Sequence, residues 1–520
     1  MAAPPAVAQP GLMLKLSLMM FLQFFIWGAW FELGFPYVQG LKFPEWWMNG
    51  FVFGAFNIGA LVALFFSSQI VDRMFAAEKF LAFSHLVGGA AIIGLFFLQA
   101  PYGSEVGNFN DVVLSERGPT ETDGIGKMAD GTPVAIANVT AGGEKATKYW
   151  ADYDKLDAAK KPVVTFVITE KSAGKIGGDA GTPLAPFWPF FGLMLLHSIF
   201  YVPTISITNS IAFAAFTNPE KQFGPVRLWG TIGWIVASWP FIFILVDWAA
   251  VNASGKTGFD LIGAALGTPL GGAAGLSGKR YIFLVAGAAS LLLAAYSLFL
   301  PHTPPKPATP GDSLAWLKAL KLLQKPFLAV LFLVTFIDAA VHQSYFFWTG
   351  AFLEKSVGIP SNWVGATMKL GQVAEIVTML SLGWVLKSFG WRTTMIVGVL
   401  GHAARFAVFA FFPQETPVIA VILLHGVCYA FFFATVYIFV DKYFPKDVRT
   451  SAQGLFNVLI LGVGPFVANF ACGKLMKEYS ADDGTLNFPA VFQYSMFAAV
   501  IGAVLLAVFF HPPKRDGDAG

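Results

Sequence analysis

The chain has 520 residues, of which 56% are hydrophobic and 12% charged, with 54 Phe and a formal net charge of +3. Soluble domains carry roughly 25% charged residues, so this composition is that of a polytopic membrane protein. The small positive balance gives no ground for a nucleic-acid partner, and Cys428 and Cys472, both in apolar runs, build neither a disulfide framework nor a metal cluster.

Lys15 precedes an apolar run from Leu16 to about Val38. That run exceeds the roughly 7–15 residues of a signal-peptide core, so it is predicted to be the first spanning helix. A hydrocarbon core of about 30 Å needs roughly 20 apolar residues. Such stretches recur at 14–39, 47–70, 79–100, 187–214, 227–249, 279–301, 327–353, 361–386, 393–412, 416–441, 450–476 and 488–511. The expected fold is therefore all-α, with twelve transmembrane helices in two six-helix bundles, 1–301 and 327–520, joined by a linker at 302–326. The linker opens on a Pro-rich stretch, and its SLAWLKALKLL segment has the pattern of a short amphipathic helix on the membrane surface.

The first span carries Gln23, Trp27, Trp30 and Glu32, the last three within WGAWFELG. Gln23 is placed to enter a cavity, as is Asn209 in the fourth span; the tryptophans either stack a planar ligand or pack. Between the third and fourth spans, residues 101–186 form a long polar insert, in which TPVAIANV and KPVVTFVIT have strand composition and ADGT is a turn signal. Its Asn138 sits in an NVT glycosylation pattern, which has meaning only outside bacteria.

FGPVRLWGTIGW (223–234) opens the fifth span. Arg227 and Thr231 are four residues apart and share a helix face, while Gly230 and Gly233 admit another helix closely. Arg227 either faces a cavity or snorkels to the interface. Residues 250–278 read as a Gly/Ala-rich outer loop. AAVNASGKT (249–257) ends like a phosphate-binding loop but lacks the first glycine and follows a membrane helix, so it is rejected on context.

The seventh span carries DAAVHQSYFFW, with Asp338 and His342 one turn apart and Gln343 beside them. Such groups in lipid must face the protein interior or a cavity; Asp338 and His342 either satisfy each other or handle protons. TMKLGQVAEIVTML in the eighth span holds Lys369, Gln372 and Glu375. An ionisable group at that depth costs about 3 kcal/mol even on insertion scales, which makes Glu375 the leading candidate for a proton carrier. Lys369 is expected to pair with Glu375 through a relay or to neutralise Asp338. Arg405, His425 and the aromatic run beginning at Tyr429 complete the buried polar set.

Basic residues gather on one side of the short loops, with Arg73, Lys221, Lys325, Lys387, Arg392 and Arg449 among them, which sets that side and both termini in the cytoplasm. The loops SSQIVDRMFAAEKF (67–80) and SLGWVLKSFGWRTT (381–394) form a degenerate internal repeat that resembles the signature of the major facilitator superfamily.

Taken with YVPTISITNSIAF, RLWGTIGW, HQSYFFWTGAFL, GQVAEI, ARFAVFAF and RTSAQGLFN, the chain resembles the nucleoside:proton symporter family of that superfamily. The resemblance covers most of the chain outside the inserts. It implies proton-coupled import of nucleosides or related polar metabolites by alternating access, with no enzymatic step, cofactor or metal, and the proton gradient as driving force. Its partners are a small polar substrate, protons and lipid; a monomer in a bacterial inner membrane is the expected state. The substrate site it implies falls on Arg227, Thr231, Gln343, Gln372, Glu375 and Tyr429. The family's helix 10 aspartate is replaced by Ala430, its helix 7 asparagine by Phe346, and a small polar residue by Lys369. These departures leave open a sugar, sugar acid or other anion as cargo, its charge held by Lys369, Arg227 or Arg405.

Overall fold

The structure is a computed structural model that describes residues 11–41, 43, 45–66, 75–98, 125–127, 133–135, 165–167, 186–305, 321, 323–444, 449–481 and 485–512. Among these, eleven helical stretches are long and apolar enough to cross a bilayer. They are α1 (Leu12–Gly40), α2 (Trp46–Ala63), α3 (Ala77–Phe97), α4 (Phe187–Ala215), α5 (Lys221–Ile244), α6 (Gly275–Ser297), α7 (Pro326–Val357), α8 (Val364–Phe411), α9 (Glu415–Tyr443), α10 (Ala452–Tyr479) and α11 (Phe488–Phe509).

The helix α8 holds 48 residues. At 1.5 Å per residue a straight helix of that length runs about 72 Å, more than twice the hydrocarbon core. Gly390, at φ 71 and ψ 173, interrupts it; this left-handed φ is open to glycine at little cost. The predicted loop between 386 and 393 is thus a single non-helical residue between two helical arms.

A second difference lies at 250–278, expected as a loop. It is largely helical, as Trp248–Ala253, Gly258–Gly267 and Gly272–Lys279. Asp247 caps the first of these by accepting from the Ala250 N–H at 3.0 Å, and Val246, Val251 and Ala265 close a small core of their own. Alanine, leucine and isoleucine outweigh glycine there once a cap and a contact surface exist. In the insert, β1 (Ile125–Lys127) pairs antiparallel with β2 (Pro133–Ala135) and β3 (Thr165–Val167), in the order β2-β1-β3. Here β2 and β3 fall in the two stretches of strand composition. The Asn138 pattern and nearly all of the SLAWLKALKLL segment lie outside the described residues.

Apolar packing cannot by itself drive helices together in lipid, so close approach and polar contacts carry association. The predicted glycine seam is present: a Cβ on Gly233 would fall onto the Phe21 carbonyl of α1, and one on Gly230 would meet the Phe24 ring at 2.7 Å. Within the first half α1 packs on α5, α2 on α4 and α3 on α6; in the second, α8 and α7 both pack on α11.

The halves meet toward one end, the end that carries the α1–α2, α7–α8 and α10–α11 connections. Asn362 Nδ2 donates to the Ile242 carbonyl at 3.1 Å, Ser361 to Leu270 at 2.9 Å and Trp363 Nε1 to Leu266 at 2.9 Å. Gln39 donates to the Phe347 carbonyl at 2.8 Å, and Lys279 pairs with Glu354 at 2.5 Å. Midway down, Asn57 Nδ2 donates to the Leu461 carbonyl at 2.8 Å.

Candidate functional site

Arg227 and Thr231 lie one turn apart on α5, both half-buried. The Arg227 guanidinium sits 4.0 Å over the Phe24 ring and in the electrostatic field of Glu375, Tyr429 and Tyr201. Glu375 on α8 thus lies in the field of Arg227 of the other half. Tyr429 opens a π-helical turn, Tyr429–Ala434, in α9. Such turns are single-turn insertions frequent at functional sites, and nothing in the local sequence announces this one. Arg227, Glu375 and Tyr429 therefore lie within electrostatic reach of one another across the two halves.

Two relays hold the glutamines. Gln343 Nε2 donates to Asn469 Oδ1 at 2.9 Å, and Asn469 Nδ2 donates to Asn57 Oδ1 at 3.1 Å. Asn57 Nδ2 ends on the Leu461 carbonyl, which lies in a second π-helical turn, Val458–Val463. A carbonyl only accepts, so each amide in this chain has one permitted orientation. On the other side Gln372 stands 3.3 Å from His425 Nε2, and Arg405 reaches His425 Nδ1 at 3.2 Å and His402 Nδ1 at 2.8 Å. His402 Nε2 is 3.6 Å from Asp338 Oδ2. Arg405 is fully buried and stacks 3.9 Å over the Tyr345 ring.

Asp338 and His342 do not satisfy each other. Asp338 faces His402, while the His342 ring lies 5.0 Å from His425 and 5.3 Å from Phe346. Helical spacing set them on one face, but Asp338 is drawn to His402 of α8 and His342 packs by His425 of α9. Arg405 is held by two histidines.

Lys369 pairs with neither Glu375 nor Asp338. Its Nζ lies 3.1 Å from Glu32 Oε1 of α1, with both side chains 2% exposed, and 3.9 Å over the Trp234 ring. Six residues at 100° each turn the helix by about 600°, which sets Lys369 and Glu375 about 120° apart. Glu32 is eight residues before the end of α1, and Lys369 five after the start of α8, at the same end of the molecule. Matching intramembrane charges by depth from a common end finds this pair; matching within one helix misses it.

Gln23 does not enter a cavity. It is fully buried in the first half, where its Nε2 donates to Thr204 at 2.8 Å and its Oε1 faces His85 Nε2 at 2.9 Å. Trp27 stacks on Phe56 with centroids 4.8 Å apart and meets Trp234 edge-on at 4.9 Å. Trp30 is buried against Phe31 and His197. Both are aromatic packing of the first half. Phe346, on the face that also bears Gln343, meets Phe31 of the opposite half at 4.9 Å. Among the described residues no group of three or more His, Cys, Asp or Glu forms a metal site.

Comparison with known proteins places these residues in context. A family model described as "Nucleoside H+ symporter" matches residues 11–103, 181–267 and 246–515. YegT of Escherichia coli (strain K12) is 27% identical, over 96% of this chain and 94% of its own length. The xanthosine permease of the same organism is 27% identical over 60% of this chain and 72% of its own. The crystal structure of the nucleoside transporter NupG superposes with a TM-score of 0.66 at 19% identity, covering 96% of this chain and all of that one.

Proposed function

Since this chain belongs to the nucleoside H+ symporter family, and is thus a proton-coupled nucleoside transporter of the membrane and not an enzyme, we propose that Glu375 is its proton carrier and that Arg227, Thr231, Gln343, Gln372 and Tyr429 hold the cargo. The observation that carries this reading is that Arg227 of one half and Glu375 of the other lie within electrostatic reach of each other. A carboxylate opposed by an arginine of the other half joins proton occupancy to the approach of the halves. Protonation of Glu375 from the outer side neutralises it and weakens its hold on Arg227; the loaded carrier then turns, and the proton leaves to the cytoplasm. Twelve passes, with α8 crossing twice about Gly390, and the positive-inside rule put the contact-rich end outside. The described state is then closed outward. Asp338 and His342, set against His402 and His425, act with Glu375 as further proton-handling groups. The cargo is nucleoside-like; an anion is disfavoured because Lys369 and Arg405 are already engaged. The carrier works as a monomer with both termini in the cytoplasm.

Uptake by proteoliposomes tests the reading. With one proton per cargo, a gradient of about one pH unit supports about tenfold accumulation. Glu375→Gln should equilibrate cargo without concentrating it. Accumulation by that variant equal to the parent's removes Glu375 from the mechanism.

A further inference from the structure

One end of the Gln372 amide is 3.3 Å from His425 Nε2, and the other is buried with no hydrogen-bond partner among the described residues. The chemistry of the chain behind it decides which end faces which way. Arg405 carries only N–H donors, and it contacts the Nδ1 atoms of both His425 and His402, at 3.2 and 2.8 Å. Each Nδ1 must therefore accept, and the neutral ring then carries its hydrogen on Nε2. For His402 this directs an N–H at Asp338 Oδ2, 3.6 Å away. For His425 it directs an N–H at Gln372. A donor there requires an acceptor, so the amide end beside His425 is the oxygen, and the NH2 takes the unpartnered position. Oxygen and nitrogen of an amide are assigned from such networks; this assignment removes a donor–donor contact and makes the NH2, rather than the oxygen, the buried end without a partner.

We propose that Arg405, acting through His425, fixes the Gln372 amide with its NH2 toward the cargo, so that His425 and Arg405 are positioning residues for nucleoside binding. The proposal rests on the reading that Gln372 touches cargo. Gln343 is held the opposite way: its Nε2 is spent on Asn469, and the Leu461 carbonyl at the end of that chain forbids reversal. The two glutamines thus offer one acceptor and one donor, and a cargo edge that presents a donor and an acceptor in that order is selected. A site built on hydrogen-bonding groups rejects a mismatched partner more steeply than an apolar one does.

The test has a spectroscopic and a binding arm. Imidazole 15N NMR of the full-length protein, with His425 assigned by the signal lost in His425→Gln, should show a bare Nδ1 and a protonated Nε2. In the binding arm, affinities for radiolabelled uridine and adenosine are compared between variants. A glutamine at 425 can accept from Arg405 and donate to Gln372, so His425→Gln should stay within about twofold of the parent. His425→Phe keeps the ring volume but loses the relay and should bind about tenfold more weakly, the loss of roughly one hydrogen bond. Mere packing predicts the reverse order. A protonated Nδ1, or a His425→Phe protein that binds as the parent does while Gln372→Ala is weakened, overturns the relay and leaves the site standing. Unchanged binding by Gln372→Ala overturns the site reading, and the relay with it.

Discussion

Each half of the transporter buries a histidine-centred polar network, and the two differ in kind. In the first half His85 bridges Ser290 Oγ and Gln23 Oε1, both at 2.9 Å, Gln23 donates to Thr204, and Tyr201 donates to the Gln23 carbonyl at 2.5 Å. Every member is formally neutral, and both ends of the Gln23 amide are used. In the second half the chain contains Asp338 and Arg405, passes through two histidines, and ends at Gln372. Arg405 Nε and both Asp338 oxygens lack hydrogen bonds. A satisfied neutral network rigidifies, whereas a charged one with spare valences is a costly and responsive arrangement. Under the proposed function, the first half serves as a frame that presents Arg227 and the second holds and redistributes charge.

Variants sharpen or break that contrast. The largest effect is expected from Arg405→Leu, which strands Asp338 and two histidines: removal of one partner from a buried charged set costs about 3–5 kcal/mol, read as a lowered thermal midpoint of the purified protein. A loss no larger than that of a surface substitution would place Arg405 outside any charged network. Gln23→Leu comes next, at about 1–3 kcal/mol for the groups it leaves unpaired. Its cost should fall on stability alone, so that gradient-driven accumulation by the surviving protein matches the parent's; lost coupling would break the view of the first half as a frame. The smallest effect belongs to the double variant Glu32→Gln with Lys369→Met. Replacing both members of a buried pair is often close to neutral, so stability should stay within about 1 kcal/mol of the parent, whereas Lys369→Met alone is markedly worse. A double-variant loss equal to the sum of the losses of Glu32→Gln and Lys369→Met taken singly would show that Glu32 and Lys369 are energetically independent.

Much of this was legible in the residues themselves. Runs of about 20 apolar residues mark the spans because lipid leaves the backbone no other partner than its own helix. RLWGTIGW announces the close contact of α5 with α1, since only glycine at 233 admits the Phe21 carbonyl. The cost of a carboxylate in lipid singled out Glu375. What stayed hidden was pairing. Asp338 and His342 share a face, yet Asp338 turns to His402; Lys369 lies near Glu375 in sequence but meets Glu32, 337 positions earlier. The π turn at Tyr429 leaves no trace in composition, and the break expected between 386 and 393 is reduced to Gly390 alone.

The sequence by itself therefore determined which segments enter the membrane and which side chains must find partners there, because the energy of transfer into lipid depends on the residue alone. Only the tertiary structure decided who those partners are. Hydrogen bonds and ion pairs act over about 3 Å and depend on direction, and that proximity is set by how α1, α7, α8 and α9 pack. Glu375 could be named from its cost in lipid; Glu32 as the partner of Lys369, and the relay behind Gln372, required the helices to be in place.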